Sequence, residues 1–210
     1  MAMTESAIGL ILRTRPFTET SLIVNWLTAE QGRVSTVAKG ARRPKSPFAG
    51  KLDLFYLAEF SFARSQRSEL HTLREVSLRE THSLLRTELG YLQQAAYCAA
   101  LIEIATEIDT PLPAIFNLMR GLLEYLPHQA PLPQTNFAFE LKLLNELGLG
   151  PDFAEAKLTP GSRQIAQLLL HNDWPASSRL KLSDAQISEL RRFLHSFLIF
   201  HLGRLPKGLP

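Results

Sequence analysis

The feature that most constrains this chain is a change of hydrophobic period near residue 80. Before it, apolar residues come in short, extended runs. Ile8, Leu10 and Leu12 alternate with Ala7, Gly9, Ile11 and Arg13, the period-two signature of a strand, and Pro16 ends the run. Ser21–Thr28 is β-branched and aromatic and closes on Glu30-Gln31-Gly32; Arg33–Lys39 follows. Leu54–Ala63 is dense in aromatics (Phe55, Tyr56, Phe60, Phe62), and a weaker run covers Leu70–Leu78. Five short strands in some eighty residues predict a small closed barrel, because closure removes exposed edges. A five-stranded barrel of the OB type is the leading candidate, and an SH3-like barrel would give much the same pattern.

From about Thr81 the period becomes helical. Leu84–Ile108 is apolar on more than one side, as a buried helix is, and Thr110-Pro111-Leu112-Pro113 breaks it. Pro113 starts the next helix, which runs through Leu126. Pro127, Pro131 and Pro133 stiffen a connector, and a helix over Thr135–Leu147 stops at Gly148 and Gly150. Ser162 is placed to cap a short helix through His171. Ser183 followed by Gln186 is a capping box for a last helix, Asp184–Leu202, with Gly203 at its end. The predicted fold class is α+β with two domains: residues 1–80 an OB-type barrel, residues 81–210 all-helical.

Charge is distributed unevenly behind a net of +3. Residues 1–80 hold twelve Lys or Arg against eight Asp or Glu; residues 103–173 hold four against nine; Arg179–Pro210 holds six against two. The sharpest asymmetry lies between Gln31 and Leu52, where Arg33, Lys39, Arg42, Arg43, Lys45 and Lys51 face no acidic neighbour. Pro44 and Pro47 prevent helix there, and Gly40 and Gly50 let the backbone turn. A loop whose charge serves only solubility usually mixes signs. A one-signed loop at a strand end is better explained by a polyanion, and a phosphate backbone is the commonest one. Arg13 and Arg15, on the first strand, join the candidates.

Composition excludes other classes. Apolar content of 45% is that of a globular chain, and no run of about 18 apolar residues could span a membrane. The first residues lack the basic and apolar regions of a secretory signal, and the lone Cys98 sits in an apolar run, so a reducing cytoplasm is the expected location. Cys98 reads as a buried, inert thiol, since a nucleophile would need a neighbouring His. No Walker-type glycine run and no His-Glu-x-x-His is present, and the six histidines show no ligand spacing. No catalytic residue, metal or cofactor is expected.

The residues resemble a known family. Leu12-Arg13-Thr14-Arg15-Pro16-Phe17-Thr18-Glu19-Thr20-Ser21, then Val37-Ala38-Lys39-Gly40-Ala41-Arg42, resemble the N-terminal domain of the recombination and repair protein RecO. Phe139–Pro151, Leu158-Thr159-Pro160-Gly161 and Leu190–Arg204 resemble its C-terminal domain, so nearly the whole chain is covered. Many members insert a four-cysteine zinc segment after Leu-Gly-Leu-x-Pro; here Pro151–Lys157 runs into Leu158 without a cysteine, and four soft or imidazole ligands are not available there. The resemblance implies a recombination mediator, nucleoid-associated, that binds single- and double-stranded DNA and anneals complementary strands. It also implies work with RecR to help RecA load onto strands covered by single-strand-binding protein.

Two further expectations concern partners. Phe17, Phe48 and Tyr56 lie near the basic segment and could stack on bases, although alternating aromatics such as Tyr56 are usually core. Arg191, Arg192 and Arg204, with Lys207 after them, are candidates to receive the acidic, Phe-ending tail of single-strand-binding protein beside an apolar groove. An RNA-binding OB protein is the alternative, since barrels and basic loops serve RNA equally well.

Overall fold

The structure is a computed structural model that describes residues 4–206. The chain divides into two compact units. One takes the residues up to Ser83 together with Thr106–Arg120; the other takes Leu84–Ala105 and the chain from Gly121 onward.

The first unit is a closed barrel of five strands: β1 (Thr4–Pro16), β2 (Leu22–Thr28), β3 (Arg33–Ala38), β4 (Leu57–Ala63) and β5 (Leu70–Glu80). Around the barrel the order is β1-β2-β3-β5-β4, with β4 closing back on β1. The β3–β5 pair is parallel and the other pairs are antiparallel. This is the OB arrangement, and it resolves the choice against an SH3-like barrel. The long β1 serves two neighbours. Its first half pairs with β4 and its second half with β2, and a register shift between Ile11 and Arg13 supplies the bend.

Inward-facing aromatics fill the barrel. Trp26 stacks on Phe60 (4.1 Å between ring centres), Phe60 on Phe62, and Phe62 on His71. The Trp26 indole N–H donates to Thr36 Oγ1 (2.9 Å), so the one polar atom of that ring is satisfied inside the core. The aromatic run from Leu54 enters strand pairing with β5 only at Leu57. Phe55 N–H instead donates to Ile11 O and Ile11 N–H to Tyr56 O, which pins the preceding turn onto β1 with Phe55 buried in a left-handed conformation (φ 65°).

Thr106–Arg120 is tied to the barrel through β3. Arg33 forms a bridge with Ile108, and its side chain donates to Thr106 Oγ1 and Thr106 O. Leu112 N–H donates to Ala29 O. Gly32 makes the approach possible, because a Cβ there would lie 1.8 Å from Thr110 O. Arg64 completes the tie: it pairs with Glu5 (2.7 Å) and Asp109 (3.0 Å), and these two carboxylates hold its guanidinium charged.

The second unit is helical: α1 (Leu89–Ala105), the C-terminal turns of α2 (Pro113–Tyr125), α3 (Pro133–Glu146), α4 (Pro160–His171), α5 (Trp174–Ser178) and α6 (Asp184–Leu202). Helix α1 starts five residues later than the periodicity suggests, because Ser83–Thr87 winds as a 3-10 turn, and it ends at Ala105. Leu141, Ala166, Leu169, Leu190 and Leu194 form the core where α3, α4 and α6 meet. Lys142 reaches from α3 to the Leu170 and Asn172 carbonyls (2.7 and 2.6 Å), meeting the C-terminal end of α4 with a cation.

The caps repeat the sequence logic with one shift. Both halves of the Ser183/Gln186 capping box form, and Gly203 takes the left-handed C-terminal position at φ 74°. For α4 the cap is Thr159, which accepts from Ser162 N–H, and Ser162 lies inside the helix. Pro160 explains the shift: at the first helical position it needs no N–H partner, so the helix begins before Ser162. The five-residue α5, capped by Asp173, is too short for a periodic signal.

Candidate nucleic-acid interface

The basic stretch leaves β3 at Ala38 and folds back against the β1–β2 hairpin. Arg42 N–H donates to Thr20 O (2.9 Å), the Arg42 guanidinium to Thr18 O (3.2 Å), and Gly40 N–H to Ser21 Oγ (3.4 Å). These bonds create a cleft of about 380 Å³ lined by Phe17, Thr20, Val37, Lys39 and Arg43, among others, with no acidic side chain among the described residues of its walls. Phe17 is 53% exposed, its ring offered to solvent beside two cations.

Strand register extends the surface. Arg15, Ile23 and Val37 lie opposite one another across β1, β2 and β3, so Arg15 sits on the face that carries Val37 into the cleft. Arg13, Asn25 and Ser35 form the adjoining row, joined by a Ser35–Asn25 hydrogen bond. Arg13, Arg15, Lys39, Arg42, Arg43 and Lys45 are all exposed. In OB barrels the β2–β3 face and the loops after β1 and β4 are the usual oligonucleotide track.

The other expected residues go elsewhere. Arg33 is half-buried and its guanidinium is committed to Thr106, which makes it a clamp within the barrel unit. Lys51 lines a second cleft, near Arg74 but also Glu59 and Glu75, where mixed signs weaken any pull on phosphate. Phe48 is 7% exposed and packs into the barrel core. The loop curls so that Phe48 covers the barrel interior, where burial outweighs its position in a Pro- and Gly-rich segment. Tyr56 is half-buried against the same core. Arg64 and Arg67, which the sequence did not single out, line a cleft in the β4–β5 loop with Asp109 and Glu69, where Arg64 is already paired with Glu5 and Asp109.

On the helical unit, a groove of about 740 Å³ runs along α6. Phe193, Phe197 and Phe200 supply its apolar wall, and Arg192 and Lys157 its cations, with Asp152, Glu155 and Glu189 also in the lining. Arg191 lines a different cavity, and Arg204 is exposed outside the groove. Of the three arginines grouped by sequence, the structure therefore brings only Arg192 to the apolar groove. Lys207 lies outside the described residues.

The Cys98 thiol is fully buried, and burial pushes its ionisation well up. Among the described residues no three His, Cys, Asp or Glu side chains converge as metal ligands, and no helix is long and apolar enough to cross a membrane.

The family model for the Recombination protein O N terminal region matches residues 1–82, and the model for its C terminal region matches 86–156 and 154–210. The chain belongs to the RecO family. Curated relatives named DNA repair protein RecO include those of Rhodopirellula baltica (33% identical, 69% of this chain, 53% of the relative) and Tolumonas auensis (35%, 73% and 64%). That of Bacillus subtilis is 31% identical over 69% of this chain and 56% of its own length. The chain thus spans a little over half the length of the curated relatives it matches. Within the RecO framework, the first family region coincides with the barrel strands and the second with the helices.

Proposed function

We propose that this RecO-family chain is a non-enzymatic DNA-binding mediator of recombination in DNA repair. It holds single- and double-stranded DNA on the barrel and anneals complementary strands. With RecR it assists RecA loading on strands covered by single-strand-binding protein. The observation that carries the reading is the cleft where Phe17 meets Lys39 and Arg43 with no carboxylate among the described residues of its lining. Annealing requires two polyanions to approach, so it needs phosphate charge neutralised and no nucleophile or acid–base pair. A ring beside the cations lets an unpaired base stack while its phosphates are held.

The α6 groove extends the reading to the partner. An acidic tail ending in Phe would place its ring against Phe193 and Phe197 and its carboxylates near Arg192 and Lys157. Arg191 and Arg204 have no part in that contact.

The test is strand annealing and oligonucleotide affinity across a salt series, comparing wild type with a Lys39→Ala/Arg43→Ala/Lys45→Ala variant. Loss of three phosphate contacts should flatten the log–log salt slope by about 2–3 and abolish annealing. Lys51→Ala, in the mixed-sign cleft, should change both little. Annealing by the triple variant at the wild-type rate would remove the cleft from the proposal. A clear preference for structured RNA over DNA of the same sequence would favour an RNA-binding OB protein instead.

A further inference from the structure

Phe17 and the two cations beside it are carried by different segments of the barrel unit. The ring sits on the turn Phe17–Ser21, which is closed on itself. Phe17 N–H donates to Ser21 O (2.9 Å), and Thr18 Oγ1 accepts from Thr20 N–H and Ser21 N–H (3.4 and 3.1 Å). Lys39 and Arg43 sit on the loop that leaves β3, which has its own bonds from Ala41 N–H to Ala38 O and from Arg43 N–H to Gly40 O (3.3 and 3.1 Å). Pairing between β2 and β3 ends at Leu22 and Ala38. Beyond that pair, three bonds hold the loop to the turn: Gly40 N–H to Ser21 Oγ, Arg42 N–H to Thr20 O, and the Arg42 guanidinium to Thr18 O. Arg42 makes two of the three, and its side chain reaches the residue next to Phe17.

Arg42 also differs from the cations around it. Among the described residues, the side chains of Lys39, Arg43 and Lys45 make no hydrogen bond or ion pair, which leaves them to a phosphate. The Arg42 guanidinium is bonded to a carbonyl and stays out of the cleft lining.

We infer, resting on the nucleic-acid reading of this cleft, that Arg42 is a positioning residue that makes the cleft selective for strands with unpaired bases. Its guanidinium holds the Phe17 turn beside Lys39 and Arg43 and does not itself hold a phosphate. Long, flexible cations can follow a phosphate backbone without fixed spacing, because the attraction is not directional. Stacking is directional: a base lies on Phe17 while its phosphates reach Lys39 and Arg43 only if ring and cations keep their separation. Losing the clasp therefore costs stacking and spares the charge contacts.

The experiment measures anisotropy with oligothymidylate, an abasic strand of the same length, and duplex DNA, each across a salt series. Arg42→Ala should weaken oligothymidylate binding about fivefold, the value of one hydrogen bond. It should leave the abasic strand and the duplex within about twofold of wild type, with the log–log salt slope unchanged. A double-mutant cycle supplies the decisive arm. In a Phe17→Ala background, Arg42→Ala should have no further effect on oligothymidylate, since both changes remove the same contact. Equal losses on all three ligands, with a slope flatter by about 0.7, would make Arg42 a phosphate contact and overturn the inference. Additive losses in the cycle would overturn it too. A wild type whose affinity for every ligand ignores salt would fell the nucleic-acid reading itself, and the role of Arg42 with it. Urea unfolding of Arg42→Ala should match wild type; a destabilised barrel would lower binding of all three ligands together and overturn the selective role.

Discussion

At the scale of single residues, position in the fold outweighs residue type. Gly32 shows this most sharply. It combines φ 64° with a backbone carbonyl where a side chain would begin, so Gly32→Ala meets both left-handed strain and a clash that cannot relax. Urea unfolding should show a loss on the order of 2–4 kcal/mol. Two phenylalanines from basic-loop neighbourhoods diverge in the same way. Phe17 is half exposed and Phe48 is buried. Phe17→Ala should weaken single-strand binding by about 1–3 kcal/mol, measured by anisotropy, with thermal stability intact. Phe48→Ala should instead destabilise the barrel by about 3–5 kcal/mol, as a core truncation does.

At the scale of elements, α6 contains most of what was legible and what was not. Its capping box is local, three residues apart, and forms as written; Ser183→Ala should cost about 1 kcal/mol in thermal unfolding. The core stripe Leu190, Leu194, Leu198 follows from helical spacing. Arg191 and Arg192, adjacent in sequence, diverge by the helix's turn of about 100° per residue, and so line different cavities. Nothing local announces what a helix face will meet, so grouping the two arginines by proximity fails. The cap of α4 moved to Thr159 for a local reason, Pro160, that the sequence already carried.

At the scale of the whole molecule, titration and charge set how conditions act. Glu140 is raised to about 7 by burial, so the native state holds its proton more tightly than the unfolded chain. Stability from this group is present at low pH and lost as pH rises from about 4.5 to about 7, by up to about 3 kcal/mol. His71 and His195 act in the opposite sense. Burial above all, and then the neighbouring charges of Arg64 and Arg191 respectively, lower them, so their share is lost as pH falls below about 6.5. Wild type should therefore lose ground to Glu140→Gln between pH 5 and pH 7 and run parallel to it above pH 8, as read by denaturant titration at each pH. On the proposed function, the uneven charge acts separately, through the salt dependence of DNA affinity.

Sequence alone determined the five barrel strands, the helices that follow them, the family and the one-signed basic segment, because each rests on periodicity, turn chemistry, motif or charge read over a few neighbouring residues. Only the tertiary structure decided which cations share a cleft, that Arg33 is spent on Thr106, and that Phe48 is core. Those outcomes depend on strand closure and helix packing, which join residues far apart in the chain through burial and hydrogen-bond satisfaction, and no local pattern records them.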